Sequence, residues 1–309
     1  MVTVANPDQA AFKVSREARG RVPGDNVELA FGYWPGRGAP IVALHGLTAS
    51  YVNFIGIAER LAGRRPLFAV DLRGRGDSDK PEGPYGMAQH ARDVAEAMRA
   101  LGLGASVIVG HSMGAFVATA LAAQEPKLVA GLILIDGGYA PAITAAPTAQ
   151  PGLDAALSLR INQLRQSYPS RQEYRQFWRT KPHFPATEWG PWIEAFLDYE
   201  LGGEPPNLRP KASEAAVRAD LMEGFQKEQI VERLPAIRVP VLMFHAPTGF
   251  VSSQPPLYTQ AMVEEMRSYL PAMEDELIPD ATHYTIVLGN PGATRIADRI
   301  VEFANRCQR

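Results

Sequence analysis

Short runs of consecutive apolar residues alternate along this chain with longer stretches in which apolar positions recur every three or four residues. That alternation predicts buried strands separated by amphipathic helices, hence a mostly parallel central sheet flanked by helices, an α/β fold. Val27–Trp34 reads as an early strand, and Pro40–Leu44 and Pro66–Val70 as two buried ones. Ser106–Gly110 and Gly131–Ile135 are the clearest, being short, β-branched and apolar. Tyr85–Leu101 reads as a helix stopped by Gly102, and Ala115–Gln124 as another ending near Pro126.

The rhythm breaks after Tyr139. An Ala/Thr/Pro-rich tract runs from Ala140 to Pro151, and helical periodicity without strands then continues to about Leu234. Pro240–Phe244 restores the strand pattern, Glu276–Ile278 reads as a last strand and Ala293–Asn305 as a closing helix. The expectation is one core built from residues 1–139 and 236–309, interrupted by a helical cap (lid) at 140–235. At roughly 95 residues the insertion has the size of a small domain.

Composition narrows the class. With 46% hydrophobic and 21% charged residues and a formal charge of −2, the chain is ordinary globular protein, with no whole-chain basis for nucleic-acid binding or an anionic membrane surface. No apolar stretch approaches the roughly 20 residues of a membrane span. The first residues lack a basic segment followed by an apolar one, so a cytoplasmic location is expected. The single cysteine, Cys307, excludes an intrachain disulfide and a cysteine-based zinc cluster, and no cofactor or metal is expected.

The most informative stretch is Val107-Ile-Val-Gly110-His111-Ser112-Met113-Gly114-Ala115, a G-x-S-x-G pattern between an apolar strand and a helical run. A serine on so sharp a strand-to-helix turn is strained. Side chains two residues to either side would collide with neighbouring backbone, which Gly110 and Gly114 avoid. The turn also sets Ser112 near a helix N-terminus, where developing negative charge is favoured.

Together with His45-Gly46-Leu47-Thr48 after an early strand, Asp71-Leu-Arg-Gly74-Arg-Gly76-Asp-Ser78, and His283 in Pro279-Asp-Ala-Thr-His283-Tyr, this motif makes the chain resemble the α/β-hydrolase family over nearly its whole length. The resemblance implies a serine hydrolase with Ser112 as nucleophile and His283 as base. Of the other five histidines, His45 is expected to shape its turn and His90 to be solvated. His111 should point away from the nucleophile, His183 lies among prolines in the insertion, and His245 ends a strand.

The orienting acid is harder to place. Most relatives carry it after the strand corresponding to Pro240–Phe244, but His245-Ala-Pro-Thr-Gly-Phe250-Val-Ser-Ser-Gln254 contains no Asp or Glu. A minority carry it at the end of the preceding strand, and there Asp136 follows Ile135. Asp136 is therefore the expected acid, with a purely structural turn residue as the alternative. Chain order is then Ser112, Asp136, His283. The resemblance assigns the oxyanion hole to the backbone N–H groups of Met113 and Leu47.

Three of the four tryptophans, Trp178, Trp189 and Trp192, fall in the insertion and are expected to contribute to substrate binding, although cap packing explains such residues equally well. The run Arg160, Arg165, Arg171, Arg175, Arg179 is balanced locally, 11 Lys+Arg against 12 Asp+Glu from 140 to 235, and reads as a solvated face. The expected substrate is an apolar small-molecule ester or lactone. Carbon–carbon bond hydrolysis, perhydrolysis and ligand binding without turnover are the alternatives. Serine at position 112, where an aspartate would form an alkyl ester, argues against the dehalogenase and epoxide hydrolase branches.

Overall fold

The computed structural model describes residues 17–140, 158, 161–224 and 226–307. Four apolar runs, β3 (Ile41–Leu44), β4 (Leu67–Val70), β5 (Ser106–His111) and β6 (Val129–Ile135), lie side by side in parallel, almost wholly buried. Strands covered on both faces have no reason to alternate polar and apolar residues, which is why they read as continuous hydrophobic runs. Adding β1 (Ala18–Pro23), β2 (Glu28–Trp34), β9 (Val241–His245) and β10 (Glu274–Leu277) completes an eight-stranded sheet in the order β1-β2-β4-β3-β5-β6-β9-β10. Only the β1–β2 and β2–β4 pairs are antiparallel.

Both edges depart from the sequence expectation. Strand β1, Ala-Arg-Gly-Arg-Val-Pro, lacks an apolar run and is held by its ladder with β2. Strand β10 begins two residues earlier than Glu276, its charged Glu-Asp-Glu start blunting an edge.

The helix α1 (Ile55–Leu61), α2 (Met87–Ala100) and α3 (Met113–Gln124) follow β3, β4 and β5. Gly102, at φ 64°, ends α2 as a left-handed residue just past its C-terminus. α3 is buried from Met113 to Ala122, and its Ala and Gly side chains let it lie close on the sheet.

Between β6 and β9 stand the helices Arg171–Arg179, Pro191–Glu200, Glu214–Gly224 and Lys227–Arg233. The expectation of helices without strands needs correcting. A two-residue hairpin, β7 (Leu201–Gly202) with β8 (Arg209–Pro210), interrupts them, too short to leave a periodic signal. The Ala140–Pro151 tract lies, Ala140 apart, outside the described residues. Tyr168, Tyr174, Trp178, Phe184, Phe196 and Tyr199 of the inserted segment share one apolar cluster with Tyr51, Phe54 and Ile57. The Tyr199 hydroxyl donates to Asp71 at 2.6 Å, and burial still pushes the Asp71 carboxyl above its usual range. Among the described residues no helix is long and apolar enough to cross a membrane.

Candidate active site

Ser112 occupies the turn from β5 into α3 with φ 53° and ψ −121°. A non-glycine residue there carries strain of about 1–3 kcal/mol, sustained only because the surroundings dictate it. Those surroundings are visible. The Ser112 N–H donates to Ile135 C=O at 2.9 Å. A Cβ on Gly110 would lie 2.3 Å from the Gly114 carbonyl oxygen, and one on Gly114 only 1.9 Å from that of Leu44. No side chain fits at either place.

Asp136 ends β6, adjacent to β5, at φ 45°. Its N–H donates to Phe244 C=O at 2.7 Å. Its Oδ2 lies 2.6 Å from His283 Nδ1, and its Oδ1 accepts the Ala246 N–H at 3.2 Å. With Nδ1 engaged by a carboxylate, the imidazole proton belongs on Nδ1 and Nε2 is the acceptor. The His283 N–H donates to Gly249 C=O at 2.9 Å, and the ring packs against Phe250 and His111, each 4.8 Å between centroids. No hydrogen bond joins Ser112 Oγ to the His283 ring; in sites of this kind that bond commonly tightens only when substrate binds.

The loop after β3 passes beside the nucleophile, since a Cβ on Gly46 would sit 3.6 Å from Ser112 Oγ. His45 shapes it as expected. Its Nδ1–H donates to Gly46 C=O at 2.8 Å, and its Nε2 accepts the Leu72 N–H at 2.9 Å. Burial lowers its pKa to about 3, so the ring is neutral, as this pair of bonds requires. Leu47 and Met113 follow Gly46 and Ser112 directly and so flank the same spot.

Two histidines make contacts that the sequence reading did not include. His111 sits against the base. Its Nδ1 accepts from Asn53 Nδ2 at 3.1 Å, and its Nε2–H donates to the His283 carbonyl at 2.9 Å, propping the base from behind. Burial, reinforced by the neighbouring His283, holds its pKa well below the ordinary value. His90 is not solvated but fully buried, 2.8 Å from Asp220 of the inserted segment. The polar face of α2 on which His90 lies is covered by that segment.

A small open pocket lies beside the loop after β3, lined there by Thr48 and Ser50 and by none of Ser112, His283, Leu47 and Met113. Trp178 lines it with Tyr168, Tyr174 and Phe177, and so do the polar Gln163, Glu200 and Lys211. Trp189 and Trp192 stand elsewhere. Trp189 donates to Glu194 at 2.9 Å under the Arg179 guanidinium. Trp192 donates to Glu59 at 2.7 Å and lies so close to α1 that a Cβ on Gly56 would come within 2.6 Å of its ring. Both hold the inserted segment together or to the core. Arg165, Arg175 and Arg179 pair with Glu214, Asp198 and Glu194 inside the insertion, and Arg171 donates to the Asp198 carbonyl. Arg160 lies outside the described residues. Among the described residues no group of three or more His, Cys, Asp or Glu is arranged to hold a metal.

A family profile described as alpha/beta hydrolase fold matches residues 39–187. The chain is 31% identical over 252 residues to 2-(acetamidomethylene)succinate hydrolase of Mesorhizobium japonicum, covering 81% of this chain and 83% of that protein. It is 26% identical over 269 residues to N-formylmaleamate deformylase of Pseudomonas putida, covering 86% and 90%. The crystal structure of E-2-(acetamidomethylene)succinate hydrolase superimposes with a TM-score of 0.77 at 26% identity, over 94% of this chain and 100% of the other.

Proposed function

Because the chain belongs to the alpha/beta hydrolase fold family, we propose that it transfers an acyl group from a small molecule to water through an ester on Ser112. The observation that carries this reading is the 2.6 Å contact between His283 Nδ1 and Asp136 Oδ2 at the strand end beside the strained Ser112 turn. The same contact favours turnover over ligand binding without it, although no acid directly follows β9. A carboxylate from β6 serves the imidazole instead.

Ser112 Oγ attacks the acyl carbon while His283 Nε2 takes its proton, and Asp136 stabilises the imidazolium that forms. Negative charge on the carbonyl oxygen is met by the backbone N–H groups of Leu47 and Met113. Collapse expels the leaving group, which takes the proton from His283. Water then attacks the acyl-enzyme with the same base and releases the acid. No metal or cofactor enters these steps. The described part of the insertion, residues 161–224 and 226–235, acts as the cap over the site.

An ester or lactone is the first substrate class. An acyl–nitrogen bond is the second, favoured by the two relatives named for an acetamidomethylene succinate and an N-formylmaleamate. Both relatives are named for substrates that carry carboxyl groups, which supports testing substrates with a polar group beside the wholly apolar ones.

A fluorophosphonate probe tests the reading. Rapid labelling of the wild type, lost in Ser112→Ala, is the expected result; a folded wild type that resists the probe overturns it. Aryl esters of graded acyl length, lactones, and N-acetyl and N-formyl amides, assayed side by side, then decide the bond.

A further inference from the structure

One guanidinium touches both residues that flank the proposed oxyanion hole. Arg75, fully buried, donates from Nε to the Leu47 carbonyl at 2.9 Å and from Nη1 to the Arg73 carbonyl at 3.1 Å, and its Nη2 lies 3.9 Å from Met113 Sδ. Its charge is answered from the inserted segment. Asp220, on the helix Glu214–Gly224, pairs with Arg75 Nη1, accepts the Gly86 N–H at 2.7 Å and sits 2.8 Å from His90 Nε2. Glu223 on the same helix accepts the Met87 N–H at 3.1 Å. Both carboxylates thus meet the N-terminus of α2, where unpaired N–H groups and the helix dipole favour negative charge. Burial alone would push the Asp220 carboxyl up. Arg75 and His90 overcome that and hold it below the ordinary carboxylate range.

We infer that Arg75 is a positioning residue for the oxyanion hole, and that Asp220 lets the inserted segment set it: the hole holds its shape while the helix Glu214–Gly224 is docked. The inference rests on Ser112 being the nucleophile. Holding the Leu47 carbonyl fixes the peptide plane that follows Leu47 and so narrows the loop conformations open to the Leu47 N–H one residue back, and a donor displaced by a fraction of an ångström loses much of its hold on an anion. Asp220 already neutralises the guanidinium, so the contribution is one of geometry more than of net charge.

The test measures the rate at which a fluorophosphonate probe phosphonylates Ser112, alongside kcat and KM for an aryl acetate. Arg75→Met combined with Asp220→Asn removes both buried charges together, so neither is left unpaired, and the melting temperature should fall only modestly as the Leu47 and Arg73 carbonyls lose their donor. Labelling and kcat should nevertheless fall about 10- to 100-fold with KM little changed, less than the full loss of an oxyanion donor. A merely structural pair predicts wild-type labelling in this folded double variant, and that result overturns the inference. If the double variant does not fold, Arg75→Lys decides. One ammonium keeps the charge for Asp220 but cannot also reach the Leu47 carbonyl. Slow labelling upholds the inference and wild-type labelling overturns it. A wild type that the probe never labels fails the Ser112 reading itself, and this inference with it, a result distinct from equal labelling of wild type and variant.

Discussion

Among the described residues two histidine–aspartate pairs are buried on both sides, and they differ in their surroundings. His283 Nδ1 meets Asp136 at 2.6 Å at the ends of the central strands, and His90 Nε2 meets Asp220 at 2.8 Å where the insertion joins α2. Distance and burial barely separate them. What separates them is what else holds each carboxylate. Asp136 has one further donor, the Ala246 N–H, so its charge remains directed at the imidazole. Asp220 also pairs with Arg75, and the His90 Nδ1 has no hydrogen-bond partner among the described residues and lies beside no nucleophile. A carboxylate already paired with a guanidinium gives little extra stability to an imidazolium. The first pair can cycle a proton; the second is a clamp.

Substitutions should widen that contrast. Ser112→Ala should lower turnover most, roughly a millionfold, with the circular dichroism spectrum unchanged. Asp136→Asn should follow at about 10⁴-fold, since the amide favours the wrong imidazole tautomer, and steady-state kinetics on the folded variant would expose any other acid as near wild-type activity.

At the second pair the effect should appear in stability. Asp220→Ala strands Arg75 in the interior and should cost about 3–5 kcal/mol in urea unfolding. Because the folded Asp220 carboxyl titrates below its ordinary value, its contribution is present above about pH 4 and disappears as pH falls further. Unfolding curves at pH 3 and pH 7 should therefore differ more for the wild type than for Asp220→Asn. The smallest effect is expected from Tyr199→Phe, about 2 kcal/mol, from loss of the donor to buried Asp71; an unchanged melting curve would mean this pin contributes nothing.

The contact between His283 and Asp136 was readable and the one between His90 and Asp220 was not, for one reason. Apolar runs report burial of strands, so β5 and β6 could be located, and Ser112 and Asp136 fall at their ends. Gly110 and Gly114 are legible because the turn admits no other residue. The partner of Arg75, by contrast, arrives 145 positions later, and nothing in the polar run around His90 distinguishes a solvated face from one covered by a carboxylate. Asn53 and His111 were missed alike, as a buried polar contact leaves no periodic trace. Strand β1 escaped because its main chain, not its side chains, makes it a strand.

With the Asp136 carboxylate at the imidazole, the stretch after Ala246 carries no acid of its own. There Gly249 offers a carbonyl to the His283 N–H and Phe250 shields the imidazole, and neither role demands a carboxylate. Side chains along that border can therefore vary in composition while the Gly249 carbonyl keeps its hold on His283, which gives the scaffold a place to acquire new selectivity.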